Sequence, residues 1–173
     1  VFVRDRQAGQ TTRVSLTFNG AQANSASYAP SISATGRYVA FASYATNMVA
    51  GGTNGKSHIV VRDRDTDADG IMDEPGAVST TLVSYHSNGN QGNDHSYNPS
   101  ISADGRYVAF SSLAWNLVDG DTNGRKDIFV HDQRTWLTTR VSVHSNGTQG
   151  DGDSTAASIS ADGRYVAFES EAH

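Results

Sequence analysis

Two short acidic loops carry the residue types that could bind a cation. Each places oxygen-bearing side chains at positions 1, 3, 5 and 9 and a glycine at position 6, as in the first half of an EF-hand loop. The predicted ligands of the first loop are Asp65, Asp67, Asp69, the backbone carbonyl of Ile71, Asp73 and Glu74. Those of the second loop are Asp119, Asp121, Asn123, the backbone carbonyl of Arg125 and Asp127. Hard oxygen ligands favour Ca²⁺ over Zn²⁺, so we expect calcium in both loops.

A solvated acidic turn is the alternative for both loops, because Asp, Asn and Gly are common in turns without a metal. The bidentate glutamate of a full EF-hand is missing, and Gly76 stands at its position in the first loop. Glu74 could replace that glutamate there. The matching loop of the first unit, residues 50–58, has lost its carboxylates, and we expect it to bind no metal.

An eleven-residue stretch that occurs three times must position these loops. Its copies are Ser31–Phe41, Ser100–Phe110 and Ser158–Phe168. Each copy predicts a β-hairpin, because a Thr-Gly or Asp-Gly pair separates two strand-like runs. Thr35 is β-branched and avoids positive φ, which favours a type I turn followed by a left-handed glycine. We expect charged hydrogen bonds at the sheet edges from the arginines that follow these glycines: Arg37, Arg106 and Arg164.

The spacing of the copies defines units of four strands. Gly36 and Gly105 are 69 residues apart, Gly105 and Gly163 are 58 apart, and the difference matches an insertion around Asp65. The hairpin supplies strands a and b, an apolar run ending in Asp supplies strand c, and a Thr-Thr run supplies strand d. Strand b, Tyr-Val-Ala-Phe, is apolar on both faces and should lie between two layers. Stacked four-stranded sheets predict a β-propeller, with a β-solenoid as the alternative.

The predicted fold class is therefore all-β, a β-propeller of four-stranded antiparallel blades with almost no helix. The chain forms one propeller region, 1–173: strands c and d in 1–28, a unit in 29–86 that its insertion extends to 97, a unit in 98–156, and strands a and b in 157–173. Three blades' worth of strands are fewer than the about four to eight that close a ring. We expect either a fragment of a larger propeller or half of a six-bladed dimer.

The repeated motif Pro-Ser-Ile-Ser-Ala-Asp-Gly-Arg-Tyr-Val-Ala-Phe resembles the TolB-like (WD-like) β-propeller repeat of bacterial envelope and secreted proteins. The resemblance covers nearly the whole chain and departs slightly at Ala157, where the other copies have Pro30 and Pro99. The acidic loops resemble the short calcium loops of thrombospondin type-3 and dockerin repeats. The resemblance to the TolB-like repeat implies a platform for protein interaction, which in that family sometimes gates a peptidase or carries a lyase site. It also implies a secreted, periplasmic or cell-surface location.

Composition excludes several classes of partner and site. The net charge of −5 disfavours nucleic acid, whose phosphates require clustered Lys and Arg. No apolar run reaches the about 18 residues that membrane insertion needs. Cysteine is absent, which removes disulfides and thiolate metal sites. The chain starts at Val1 without a recognisable signal peptide, and this predicts a processed or incomplete sequence.

The acidic loops should lie far apart, because successive loops of an antiparallel meander alternate between the two ends of the sheet. The loop of Asp119 should share one end with His86 and His144, whereas the loop of Asp65 should lie at the other end with the Asp-Gly turns. Two distant sites predict structural calcium rather than one active centre.

The sequence therefore predicts a non-enzymatic, calcium-stabilised extracellular propeller that acts as a binding or structural module for a protein or glycan partner. Two alternatives remain. A polysaccharide lyase or hydrolase would place its site near His86, His95 and His144. A lectin would stack sugars on Trp115 or Trp136.

Overall fold

The structure is a computed structural model that describes all 173 residues, and its regular elements are all β-strands. The twelve strands are β1 (Phe2–Asp5), β2 (Gln10–Arg13), β3 (Ser27–Ile32), β4 (Tyr38–Ser43), β5 (His58–Asp63), β6 (Ser79–Leu82), β7 (Ser96–Ile101), β8 (Tyr107–Ser112), β9 (Asp127–Asp132), β10 (Leu137–Arg140), β11 (Ser154–Ile159) and β12 (Val166–Ser170). They form four sheets in the orders β1-β2, β3-β4-β5-β6, β7-β8-β9-β10 and β11-β12. All pairings are antiparallel, so each sheet is a meander of consecutive strands. No helix long and apolar enough to cross a membrane is present.

Strand β4 is buried on both faces, as the apolar pattern of strand b predicted. Val39 and Phe41 pack into a core shared with β1 and β5, whereas Ala40 and Ala42 face a second core shared with β8 and β9. The last copy of strand b, β12, leaves Phe168 37% exposed. A fully buried phenylalanine contributes about 1.5–3 kcal/mol relative to an exposed one, so the stacking of sheets stabilises the inner units most.

Tyrosines at the start of strand b join successive sheets. The Tyr38 ring packs so closely on Gly105 that a Cβ at this glycine would lie 2.1 Å from the ring. Tyr107 makes the same contact with Gly163. Tyr165 has no following hairpin in this chain and is 61% exposed. Gly105 and Gly163 are therefore required both by the turn and by the tyrosine of the preceding sheet, whereas no tyrosine packs on Gly36.

The hairpin turns have the predicted conformation. In the first hairpin the Gly36 N–H donates to the Ser33 carbonyl over 3.0 Å. Gly36 has a φ of 77°, whereas Thr35 is not among the residues with positive φ. A β-bulge interrupts strand a in all three copies and was not predicted, because its positive φ falls on Ala or Asn rather than Gly: Ala29, Asn98 and Ala156.

The arginines after the hairpin glycines form the predicted charged hydrogen bonds wherever a strand c follows. Arg37 Nε and Nη2 donate to the two carboxylate oxygens of Asp63, both over 2.8 Å. Arg106 makes the equivalent pair with Asp132 over 2.9 and 2.7 Å. Like Arg37 and Arg106, Arg164 lies over the ring of the tyrosine that follows it, at 4.9 Å from the Tyr165 centroid, but it forms no such bidentate pair. These bidentate pairs fix the end of the sheet from which the c–d connections leave.

Candidate metal centre

The Asp65 loop occupies the insertion between β5 and β6. Asp65 itself is only 4% exposed, and it organises the loop through its carboxylate. Its Oδ1 accepts the Asp69 N–H and its Oδ2 accepts the Gly70 N–H, both over 3.1 Å. Ala68 and Gly70 adopt positive φ, which lets the chain fold back over Asp65. The spacing of alternate acids thus produces a turn around one buried carboxylate.

Asp65, Asp67 and Asp69 form a cluster of three carboxylates, and this cluster could bind a metal. One oxygen from each side chain lies within 4.8 Å of the others. Asp65 is buried, whereas Asp67 and Asp69 are exposed, so the cluster is open to solvent. Each carboxylate has about four lone-pair sites, so the hydrogen bonds from the loop leave acceptor capacity for a cation.

Asp73, the predicted ligand at position 9, is engaged elsewhere. Its Oδ2 accepts hydrogen bonds from Arg64 Nε over 3.0 Å and from Arg64 Nη2 over 2.6 Å. Arg64 is held in turn by the Gly36 carbonyl, which accepts from Nη1 over 2.8 Å. The ion pair therefore ties the insertion to the neighbouring Thr-Gly turn and engages one of the two carboxylate oxygens of Asp73.

Glu74 and Ile71 accompany the three aspartates. The pKa of Glu74 is raised by partial loss of hydration and then by the negative charges of the cluster residues, listed by decreasing effect: Asp69, Asp67 and Asp65. Glu74 therefore lies within electrostatic reach of the three aspartates. Ile71 is 55% exposed, and its N–H donates to Asp69 Oδ1 over 2.8 Å. The sequence anticipated Glu74 as a further ligand, and the structure leaves its carboxylate free for that role.

The second acidic loop, between β8 and β9, is arranged differently. The Asp119 side chain is fully exposed, and its Oδ1 lies 3.6 Å from His86 Nε2. Asp119 and His86 therefore share one end of the sheets, whereas Arg64 holds the Asp65 loop against Gly36 at the other end. These contacts confirm the predicted separation of the two loops.

An arginine from β10 compensates the charge of the second loop. Arg140 Nη1 lies 3.0 Å from Asp121 Oδ1 and 3.4 Å from Asp127 Oδ2. Asp127 also accepts from Ser142 Oγ over 2.6 Å and from Asn123 Nδ2 over 3.0 Å. Burial raises the pKa of Asp121, as does the charge of Asp127, while Arg140 opposes both. The structure does not gather these carboxylates into a cluster like that of the first loop.

The remaining predicted ligands of the second loop, Asn123 and Arg125, form a hydrogen bond that shapes its backbone. The Asn123 side-chain oxygen accepts the Arg125 N–H over 3.0 Å, which shapes the turn around Gly124. Reasoning from the loop spacing missed Arg140, because this residue lies in another strand. The repeat gives no clear signal either, since the equivalent positions carry Arg13 in β2 and Leu82 in β6.

The matching loop of the first unit contains an uncharged pair at the same place. Asn54 matches Asn123, but His58 replaces Asp127, and His58 Nε2 lies 2.8 Å from Asn54 Oδ1. His58 Nδ1 lies 2.9 Å from Ser84 Oγ. Burial lowers the pKa of His58 to about 4, so the imidazole is neutral at pH 7. The ninth position of the loop therefore carries a neutral histidine, His58, in one sheet and an ion-paired aspartate, Asp127, in the next.

The histidines considered for an enzyme site have separate neighbours. His86 lies beside Asp119, and His144 is exposed in the next equivalent loop. His95 lies between the rings of Tyr44 and Tyr97, with centroid distances of 5.5 and 6.0 Å. Its Nδ1 accepts the Ser57 N–H over 2.9 Å. The structure shows no common carboxylate that these three imidazoles share.

Comparison with known proteins identifies the fold. No protein-family model matches the chain, and no curated protein matches it. A crystal structure of TolB from Acinetobacter baumannii aligns with 96% of this chain, at a TM-score of 0.50 and 17% identity. The structure of a TolB candidate from Agrobacterium tumefaciens aligns with 98%, at a TM-score of 0.48 and 16% identity. The aligned parts are 31% and 49% of those chains.

The chain thus spans less than half the length of either protein. Together with the two complete four-stranded sheets, the likeness to the Acinetobacter structure confirms the predicted all-β propeller. At this level of identity it shows the fold alone, because one fold serves many functions.

Proposed function

We propose that this chain is a non-enzymatic, calcium-stabilised propeller module that binds a protein or glycan partner outside the cytoplasm. The observation that carries the proposal is the cluster of Asp65, Asp67 and Asp69. Its donors are all oxygens, which suits Ca²⁺ and disfavours Zn²⁺. With Glu74 close by, four negative charges lie in one loop, and a divalent cation relieves their repulsion.

Calcium stabilises the blade through the insertion in which it binds. The loop leaves β5 and returns to β6, so an ion at the cluster restrains two strands of one sheet. A ligand that binds only the folded state stabilises it by about 2.7 kcal/mol at a hundred times its dissociation constant. For a chain of this size the gain corresponds to a rise in melting temperature of roughly 5–10 °C.

A binding role fits the distribution of chemistry over the chain. The repeated residues form the scaffold, and the three histidines that could have formed an active site have separate neighbours. The net charge of −5 disfavours nucleic acid and leaves a protein or a glycan as the partner. A secreted, periplasmic or cell-surface location belongs to the same proposal, since free Ca²⁺ is abundant there.

Thermal unfolding in calcium, in magnesium and in chelator tests the metal. We expect the melting temperature to rise in Ca²⁺ and to change less in Mg²⁺, which requires a more regular octahedral site. The double substitution Asp67→Asn/Asp69→Asn should abolish the rise, whereas the control Asp119→Asn should keep it. Equal melting temperatures in calcium and chelator would overturn the calcium proposal, as would an undiminished rise in the double variant.

A further inference from the structure

Trp136 has a backbone conformation that does not suit its side chain. It ends the turn between β9 and β10 with a φ of 61°, and its N–H donates to the Asp132 carbonyl over 2.8 Å. The equivalent residue in the turn between β1 and β2 is Gly9, with a φ of 67°. The other non-glycine residues with positive φ are Ala, Asn or Asp. A strained bulky residue where the repeat can use glycine indicates a function for the indole.

The indole forms one wall of a groove between the second and third sheets. Trp136 is 51% exposed, and Tyr38 lies across the groove in the preceding sheet. The groove has a volume of about 440 Å³. This volume lies within the about 300–1,000 Å³ of sites for small ligands.

Hydrogen bonds within the protein hold the residues at the base of the groove in place. Arg106 is held by Asp132 through two hydrogen bonds, and the Gln133 side chain donates to the Gly105 carbonyl. A rigid base limits the ordering that a ligand must impose, which favours binding.

Polar atoms at the rim remain free. Arg134 forms a hydrogen bond only through its backbone N–H, which donates to Asp132 Oδ1. Asp104 uses Oδ1 to accept from Ser102 Oγ and the Arg106 N–H, which leaves Oδ2 without a partner. Ser79 also lines the groove. The rim thus offers one cationic donor, one anionic acceptor and one hydroxyl around an exposed aromatic ring.

We propose that this groove binds a neutral oligosaccharide, with one pyranose ring stacked on Trp136. Sugar hydroxyls both donate and accept, so they can satisfy Asp104 Oδ2 and the Arg134 guanidinium together. The apolar C–H face of a pyranose matches the face of an indole. The inference names the partner class of the binding module proposed above, and it does not require the calcium loop.

The charges of the groove disfavour other ligands. A phosphate or an acidic sugar would approach the carboxylates of Asp63 and Asp104, and a basic peptide would approach Arg106 and Arg134. Both signs line the same groove, which leaves a neutral polyhydroxylated ligand as the best match.

Titration of the whole chain with neutral oligosaccharides tests the proposal. The probes are tetraoses built from glucose, mannose, galactose or N-acetylglucosamine, and the readouts are calorimetry and tryptophan fluorescence. We expect at least one tetraose to bind, and Trp136→Gly to weaken this binding at least tenfold. Trp115→Ala is the matched control, because Trp115 is 64% exposed in a loop at the opposite end of the sheets. This variant should bind the tetraose with the affinity of the parent chain.

A second pair of variants protects the test against misfolding. Trp136→Gly also removes the packing of the indole on buried His131, whose ring centroid lies 6.1 Å away, so thermal unfolding of this variant is measured beside its binding. Arg134→Ala and Asp104→Asn leave the indole in place and should each weaken binding severalfold. Absence of binding by all four tetraoses would overturn the proposal, as would binding that survives Trp136→Gly. Measuring affinity in both calcium and chelator separates this outcome from the calcium proposal, since the groove should bind in both.

Discussion

Arg140 and Asp121 form a buried ion pair, with 3.0 Å between Nη1 and Oδ1 and with side chains that are 11% and 3% exposed. Asp121 belongs to a loop whose spacing alone predicts calcium. A guanidinium from β10 thus supplies positive charge where the EF-hand pattern would place the ion. The two acidic loops look alike in sequence, but only the loop of Asp65 leaves its aspartates clustered and open to solvent.

Replacing Arg140 should destabilise the chain strongly. Arg140→Leu introduces the residue type found at the equivalent position of β6, Leu82. It leaves Asp121 and Asp127 without the guanidinium that pairs with them. Removing one partner of a buried pair costs about 3–5 kcal/mol, and we expect the lower end because two carboxylates share this arginine. Urea unfolding measures the change, and added Ca²⁺ should restore part of it. The control Arg134→Leu should stay within about 0.5 kcal/mol, and an equal effect of both would contradict the assignment.

Glu74 should contribute more to calcium binding than Asp73 does. Glu74→Gln removes a free carboxylate beside the cluster, and we expect Ca²⁺ affinity to fall about tenfold, or 1.4 kcal/mol. Asp73→Asn breaks the pair with Arg64 and should mainly lower stability in chelator. Calcium titration by calorimetry with thermal unfolding in chelator measures both effects. A larger loss of Ca²⁺ affinity in Asp73→Asn than in Glu74→Gln would contradict this prediction and would identify Asp73 as the calcium ligand.

The contact between Tyr38 and Gly105 should make this glycine more sensitive than other turn glycines. Gly105→Ala places a methyl group within the Tyr38 ring and also strains a φ of 79°. Gly147 has a φ of 86° with open space around it, so Gly147→Ala isolates the backbone strain. We expect the control to lose about 1–2 kcal/mol and Gly105→Ala to lose about 1–3 kcal/mol more. Equal losses in chemical denaturation would show that the ring moves aside freely.

Two buried histidines should make the chain sensitive to mild acid. Burial lowers the pKa of both His58 and His131 to about 4, from an ordinary value of 6.5. The unfolded chain gains protons below pH 6.5 while the folded chain does not. Stability is therefore full above pH 6.5 and is lost as the pH falls towards 4, by about 1–3 kcal/mol for each histidine.

Urea unfolding between pH 7.5 and 4.5 measures this loss. His58→Asn and His131→Asn should each reduce the dependence on pH by about half, even where they lower stability at pH 7.5. Asp121 acts in the opposite sense, because burial raises its pKa and its protonation therefore favours the folded state in acid. A pH dependence that survives the double variant would assign the loss to other groups.

Much of the fold was predictable because the repeat encodes it locally. The Thr35-Gly36 turn and the apolar strand b depend on the conformational preferences of neighbouring residues and on burial from both sides. The threefold recurrence then identifies sheets that stack on one another. The positive φ of Trp136 was not predictable, since no local rule places a tryptophan where the first unit has Gly9.

The all-β propeller, the order of its strands and the residues able to bind a cation follow from the amino-acid sequence alone. Which of those residues remain free depends on the packing of side chains in three dimensions. Asp65, Asp67 and Asp69 meet because they lie in one loop, whereas Asp73 and Asp121 are engaged by Arg64 and Arg140. An ion pair depends on distance and burial between side chains, and loop spacing contains no information about an arginine that arrives from another strand.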